Sequence, residues 1–118
     1  MTLQMFDLTG LRALITGSSQ GIGFALARGL AGAGAEIILN GRDVAKLSAA
    51  ATELEKGGAN VHQLAFDATD HENVKAAVDG FESTTGSIDI LINNAGMQHR
   101  AELENFPADA FEKLLQTN

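Results

Sequence analysis

The 118-residue sequence has no cysteine, no tyrosine and a single proline, and it is poor in basic side chains. Without cysteine there are no disulfides and no thiolate metal sites. Eight Lys and Arg stand against fifteen Asp and Glu, a net charge of −7, which argues against generic binding to nucleic acid or an anionic membrane. It does not exclude an anionic ligand, because local N–H groups and one placed arginine outweigh a global field at short range. No apolar run approaches membrane-spanning length. The opening Met1-Thr2-Leu3-Gln4-Met5-Phe6-Asp7 lacks the basic and long apolar regions of a secretory signal. A soluble, cytoplasmic protein is expected. Hydrophobic residues make up 45% and charged residues 19% of the chain, so its composition is that of a folded domain rather than a disordered tail.

What is present is organised around Arg12 to Gly23, Arg-Ala-Leu-Ile-Thr-Gly-Ser-Ser-Gln-Gly-Ile-Gly. A short apolar run feeds a glycine-rich turn that opens into an amphipathic helix. Gly17 allows the sharp turn, Gly21 lets backbone approach a pyrophosphate, and Gly23 lets the helix lie close on the strand. The first N–H groups of the helix and its positive dipole end then face an anion. The same glycines would also serve tight strand–helix packing with no ligand at all. The order of elements beyond Gly23 decides between the two.

The first strand is expected over about 12–16 and the first helix over about 21–33, with Ile22, Ala25, Leu26, Gly29 and Leu30 on one side. Glu36 to Leu39 reads as a strand covered on both faces, and Asn40-Gly41 as a turn. Asp43 caps a helix over about 44–56, in which Leu47, Ala50, Ala51 and Leu54 recur at helical spacing before Gly57-Gly58. A third strand over 61–66 is interrupted by His62 and Gln63. Asp70 caps a third helix, with Val74, Ala77, Val78 and Phe81 on its apolar side, closed by Gly86. A fourth strand spans 88–92. Pro107 begins a last helix, with Phe111, Leu114, Leu115 and Asn118 along one face. This βαβαβαβα alternation is the signature of an α/β doubly wound, parallel Rossmann sheet. Right-handed crossovers give the strand order 3-2-1-4. The crevice outside the carboxyl ends of strands one and four is then the ligand site.

Thr16-Gly17-Ser18-Ser19-Gln20-Gly21-Ile22-Gly23, followed by Asn93-Asn94-Ala95-Gly96, resembles the short-chain dehydrogenase/reductase family in type, order and spacing. The resemblance covers the whole chain, and the chain covers about the first half of such an enzyme: residues 1–118 are expected to be the N-terminal part of a single dinucleotide-binding domain. It implies an oxidoreductase that moves hydride between a nicotinamide cofactor and a secondary alcohol or ketone. Gly17, Ser19, Gln20 and Ile22 are the implied pyrophosphate contacts, with Gly21 and Gly23 belonging to the same cofactor-binding turn. Asp67 and Ala68 are placed at the adenine, Asp67 alternatively only capping a turn. Asn94, Ala95 and Gly96 tie strands together and line the cofactor's ribose. Leu114-Leu115-Gln116-Thr117-Asn118 resembles the segment that carries the family's proton-relay asparagine, Asn118 here.

The cofactor choice follows from charge. An acidic residue at the end of strand two takes the ribose hydroxyl of NAD, whereas an arginine takes the 2′-phosphate of NADP. This chain has Asn40-Gly41-Arg42. By the resemblance, Gly41 stands where the NAD-dependent members carry aspartate, so NADP is expected rather than NAD, held by Arg42. The alternative reading of Arg42 is a solvated arginine over a helix start. Gly96-Met97-Gln98-His99-Arg100 and the acidic stretch after it are similar to the gluconate 5-dehydrogenases within the family. That likeness implies a small sugar-acid or polyol substrate, D-gluconate and 5-ketogluconate, with Arg100 or His99 facing the carboxylate unless both are simply solvated. His62 and His71 stand in no pattern, and no cluster has metal-ligand spacing.

The family's general acid/base is a tyrosine with a lysine four residues on, beside a serine that polarises the carbonyl. No tyrosine occurs in these 118 residues. The full-length form is expected to be a homo-oligomer, and the 118-residue chain alone to be inactive. A non-catalytic dinucleotide-binding module and a non-binding remnant kept as an interaction partner are the alternatives. An intact mass of about twice this length, the usual size of such domains, is the outcome expected for the native protein. A native chain of 118 residues would favour the alternatives instead.

Overall fold

Leu14 and Ile15 on one strand and Ile37, Ile38 and Leu39 on the next are almost wholly inaccessible to water, and the sheet is built outward from them. The computed structural model describes residues 7–95. Its elements are β1 (Arg12–Ile15), α1 (Gly21–Gly32), β2 (Glu36–Gly41), α2 (Val44–Lys56), β3 (Val61–Ala65), α3 (His71–Thr84) and β4 (Ile90–Ile92). The strands are parallel and ordered β3-β2-β1-β4, as the pattern of elements predicts. The last helix expected from Pro107 lies outside the described residues.

Helices cover both faces, which is why the central strands are apolar runs instead of alternating ones. On one face Ala13, Ile15, Ile37 and Leu39 pack with Ala27 of α1 and with Leu47, Ala50, Ala51 and Leu54 of α2. On the other, Leu14 and Ile38 pack with Phe66 and with Phe81 of α3, flanked by Val74, Ala77 and Val78. Two helix starts are closed by aspartates. Asp43 accepts from the N–H groups of Ala45 and Lys46 at 2.9 and 3.1 Å, and Asp70 from those of Glu72 and Asn73 at 3.1 and 3.2 Å.

Several local expectations are corrected. First, α1 buries Gly23 and Ala27, while Ile22 is 69% and Leu26 37% exposed. The smallest residues face the sheet where the helix lies closest, so Ile22 and Leu26 are turned outward, while Phe24 and Leu30 pack half-buried against the rim of the core. Second, Asn40-Gly41 is not a turn but the end of β2, with Asn40 and Gly41 in register with Leu64 and Ala65. Third, β4 begins at Ile90 rather than Ile88. Asp89 is the reason: its carboxylate accepts the N–H of Arg12 at 2.9 Å, so a side chain replaces the ladder carbonyl there.

His62 does not interrupt β3. It sits within the strand, contacts the Glu36 carboxylate and packs edge-on against Phe81 with ring centroids 5.3 Å apart. Glu36 also accepts from Arg12 Nε at 3.1 Å, so one carboxylate joins β1, β2 and β3. Partial burial raises the pKa of Glu36. The hydrogen bonds from His62 and Arg12 and their charge outweigh that, holding it below its ordinary 4.5. A depressed carboxyl pKa stabilises the fold above the unfolded value and is lost as pH falls through the folded one. Glu36→Gln should therefore destabilise by about 1 kcal/mol near pH 7, and by much less at an acid pH below the lowered folded value, where the carboxyl is protonated in both states. Urea denaturation at both pH values measures this, and an equal gap at both would refute it.

Candidate functional site

Because all four strands run in parallel, their carboxyl ends share one edge, and the loops after them carry most of the residues expected from sequence. Ser19, Gln20, Gly21, Ile22 and Gly23 follow β1, Arg42 follows β2, Asp67 and Ala68 follow β3, and Asn94 and Ala95 follow β4. Gly96, the loop 97–106 with His99 and Arg100, and Asn118 lie outside the described residues.

The turn after β1 is held from two sides. Thr16 donates its N–H to Ile92 O at 3.0 Å, and its hydroxyl accepts the N–H of Ala95 at 3.0 Å. Asn94, 4% exposed, donates from Nδ2 to Gly17 O at 3.1 Å. On the opposite side Ser18 donates its N–H to Asn40 O at 2.8 Å and its hydroxyl to Ile15 O at 2.6 Å. Its Oγ accepts the N–H of Asn40 at 2.9 Å. Gly17 and Gly21 have φ of 60° and 66°, the left-handed region that favours glycine.

The start of α1 differs from those of α2 and α3. Gln20, at its N-cap, makes no side-chain cap bond, and no acidic residue occupies its first turn. Around Gly21 a Cβ would meet nothing within 4 Å, whereas at Gly23 it would meet Gly17 O at 2.3 Å and Asn94 Nδ2 at 2.7 Å. One glycine thus faces open space at the end of the helix, and the other seats the helix on the turn. The N–H groups and positive dipole end there suit an anion of diphosphate size.

The far wall lies at the ends of β2 and β3. Arg42 is exposed. Asp67 accepts from the Thr69 hydroxyl at 2.7 Å and the Thr69 N–H at 2.9 Å. Those two bonds, with the nearby charge of Arg42, hold its pKa below the ordinary value. Asp67 therefore stays an acceptor at neutral pH, beside a cation. A Cβ on Gly41 would lie 3.3 Å from Ser19 Oγ, so a side chain there would press on the turn. Beside the turn a depression of about 320 Å³ is lined by Ser19, Gln20, Phe24, Lys46, Ala49, Ala50 and Glu53. A hollow of about 530 Å³, lined by Arg28, Ala31, Lys56 and Gly58 among others, touches none of the residues expected at the site. Among the described residues no group of three or more His, Cys, Asp or Glu forms a metal site, and no helix is long and apolar enough to cross a membrane.

Sequence reasoning missed Asn40, Ser18 and Thr16 as structural parts of this edge. A signal existed for Asn40: it is an amide at the end of an apolar strand, and a buried amide must find partners.

A family model described as short chain dehydrogenase matches residues 12–118. The chain is 47% identical over 114 residues to a gluconate 5-dehydrogenase of Gluconobacter oxydans, covering 97% of this chain and 44% of that protein. It is 39% identical over 114 residues to the 5-keto-D-gluconate 5-reductase of Escherichia coli K12, covering 97% and 45%. Among solved structures, a Burkholderia cenocepacia gluconate 5-dehydrogenase in complex with NADP and tartrate matches with a TM-score of 0.74 and 48% identity, over 94% of this chain and 44% of that one. An L-sorbose reductase of Gluconobacter frateurii, complexed with NADPH and L-sorbose, matches at 0.72 and 40% identity, over 91% and 41%. The chain spans less than half the length of these relatives.

The clearance around Gly23 makes a direct prediction. Gly23→Ala should destabilise the fold by about 1–3 kcal/mol through overpacking against backbone. Gly29→Ala on the same helix meets nothing within 4 Å and should stabilise by up to about 1 kcal/mol. Thermal denaturation of the two variants measures the contrast, and equal shifts would refute it.

Proposed function

Since this chain belongs to the short-chain dehydrogenase family, we propose that it is the cofactor-binding N-terminal part of an NADP-dependent oxidoreductase. Its substrate is proposed to be a sugar acid, interconverted between secondary alcohol and ketone, with D-gluconate and 5-ketogluconate as the pair. The observation that carries the reading is the start of α1, which has no acidic cap and no acid in its first turn, in a chain whose α2 and α3 are both capped by aspartate. A carboxylate in that position would repel a diphosphate, so its absence fits an anionic ligand.

Gly21 and Ile22 would lie against the diphosphate, with Ser19 and Gln20 on the approach to it. Arg42 would take the 2′-phosphate, and no carboxylate stands at Gly41 to oppose it. Asp67 and Ala68 would face the adenine, and Asn94, Ala95 and Gly96 the ribose on the nicotinamide side. Bound there, NADP supplies hydride acceptance and donation. The proton must be moved by other groups, and Asn118 is proposed to fix a water in that relay. The 118 residues hold no tyrosine, so by themselves they are expected to bind cofactor weakly at best and to turn over no substrate. The sugar-acid reading is supported by the gluconate-named relatives.

Titration of the native-length protein with both dinucleotides tests the cofactor. NADP should bind more tightly than NAD by about 10- to 150-fold, the worth of one charge-assisted contact of roughly 1.5–3 kcal/mol. Arg42→Ala should remove most of that difference. Tighter binding of NAD would refute the assignment. Reduction of NADP in the presence of D-gluconate tests the substrate, and turnover confined to unrelated alcohols would refute it.

A further inference from the structure

We infer that Asn40 is a positioning residue that sets the spacing between the diphosphate turn and the adenine wall, so that one dinucleotide can reach both. The inference rests on the NADP reading above. Asn40 is 1% exposed, and every polar atom of its side chain is engaged. Oδ1 accepts the N–H of Gly17, in the turn after β1, at 2.9 Å. Nδ2 donates both hydrogens to the end of β3, to Leu64 O at 3.0 Å and Phe66 O at 3.1 Å.

The second of these acceptors matters most. Phe66 O belongs to the peptide that also carries the N–H of Asp67, and that N–H donates to Asn73 Oδ1 at 2.7 Å. The peptide in front of Asp67 is therefore fixed at both ends. Asn40 holds one end, and the same amide holds the peptide in front of Gly17. A single rigid side chain thus spans from the loop after β1 to the loop after β3. Two bonds with Ser18 keep it in place: the Ser18 N–H donates to Asn40 O at 2.8 Å, and the Asn40 N–H donates to Ser18 Oγ at 2.9 Å. Only a side chain with one acceptor and two donors at this length satisfies all three groups. Leucine would leave them unpaired in the core, and glutamine is a methylene too long.

Asn40→Asp separates this role from simple packing, because aspartate has the same shape but different hydrogens. Protonated, it still accepts from Gly17 N–H and donates to one of the two carbonyls. Ionised, it sets a negative oxygen against both, and burial among carbonyl oxygens keeps it protonated to a higher pH than usual. The experiment measures dissociation constants of NADP and of adenosine 2′-phosphate for the native-length wild type and N40D from acid to mildly alkaline pH. Adenosine 2′-phosphate reaches only the far wall and does not need the spacing.

For NADP, the ratio of variant to wild-type constants should stay within about threefold near pH 5.5 and exceed about tenfold near pH 8.5. For adenosine 2′-phosphate it should stay within about threefold throughout. A ratio for NADP that is flat with pH, or equal losses for the two ligands, would overturn the inference. Should N40D not fold at the higher pH, Asn40→Ser carries the same comparison. Its hydroxyl is too short to span the gap, so NADP should weaken about tenfold more than adenosine 2′-phosphate, and equal weakening would overturn the inference. A wild type that binds neither nucleotide removes the NADP reading itself, and this inference with it.

Discussion

The structure depends on how closely α1 lies on the turn that precedes it. At Gly23 a single added carbon would lie 2.3 Å from the carbonyl oxygen of Gly17, a separation that non-bonded atoms do not adopt. That contact fixes where the helix begins relative to β1, and it aims the first N–H groups of α1 at the carboxyl edge of the sheet. The same approach forces small residues onto the buried side, Gly23 and Ala27, and turns Ile22 and Leu26 outward. Asn94, just after β4, then reaches the Gly17 carbonyl, in the space that a side chain on Gly23 would fill.

Charge is distributed in keeping with this geometry. The chain is acidic overall, with a net charge of −7, yet among the described residues the carboxylates at helix starts are those of α2 and α3, where they close off N–H groups. At α1 no side chain caps those groups. Glu36, at the amino edge of the sheet, is matched by Arg12 and His62, and Asp67, at the carboxyl edge, by donors from Thr69. Among the described residues, acidic side chains thus stabilise the frame while none occupies the first turn of α1. The Glu36 network lies at the amino edge of the sheet, while the helix starts, with the caps of α2 and α3 and the uncapped α1, share the carboxyl edge because the strands share a direction.

Much of this was legible in the residue order. The spacing of Leu47, Ala50, Ala51 and Leu54 gave α2 its buried face, and Asp43 and Asp70 marked the two helix starts that they cap. The glycines from 17 to 23 announced a strand, a turn and a helix, and the alternation of elements implied the strand order observed. Side-chain bulk is a misleading guide to the buried face of α1, because clearance against the turn decides it. The end of β2 misleads in a similar way, since Asn-Gly is a turn signal in isolation. Here the amide is paired with the neighbouring strand, so the chain continues straight.

The sequence by itself determined the kinds of elements, their succession and the bulk-free bend ahead of α1, because each depends on neighbours within a turn or two of chain. Only the tertiary structure decided which side of α1 is covered, that Asn40 links the loops after β1 and β3, and that Glu36 serves both Arg12 and His62. Those contacts join residues 23 to 26 positions apart, and in each a polar group's partner is set by strand register. Register exists only once the sheet has formed, and it pairs residues that are far apart along the chain.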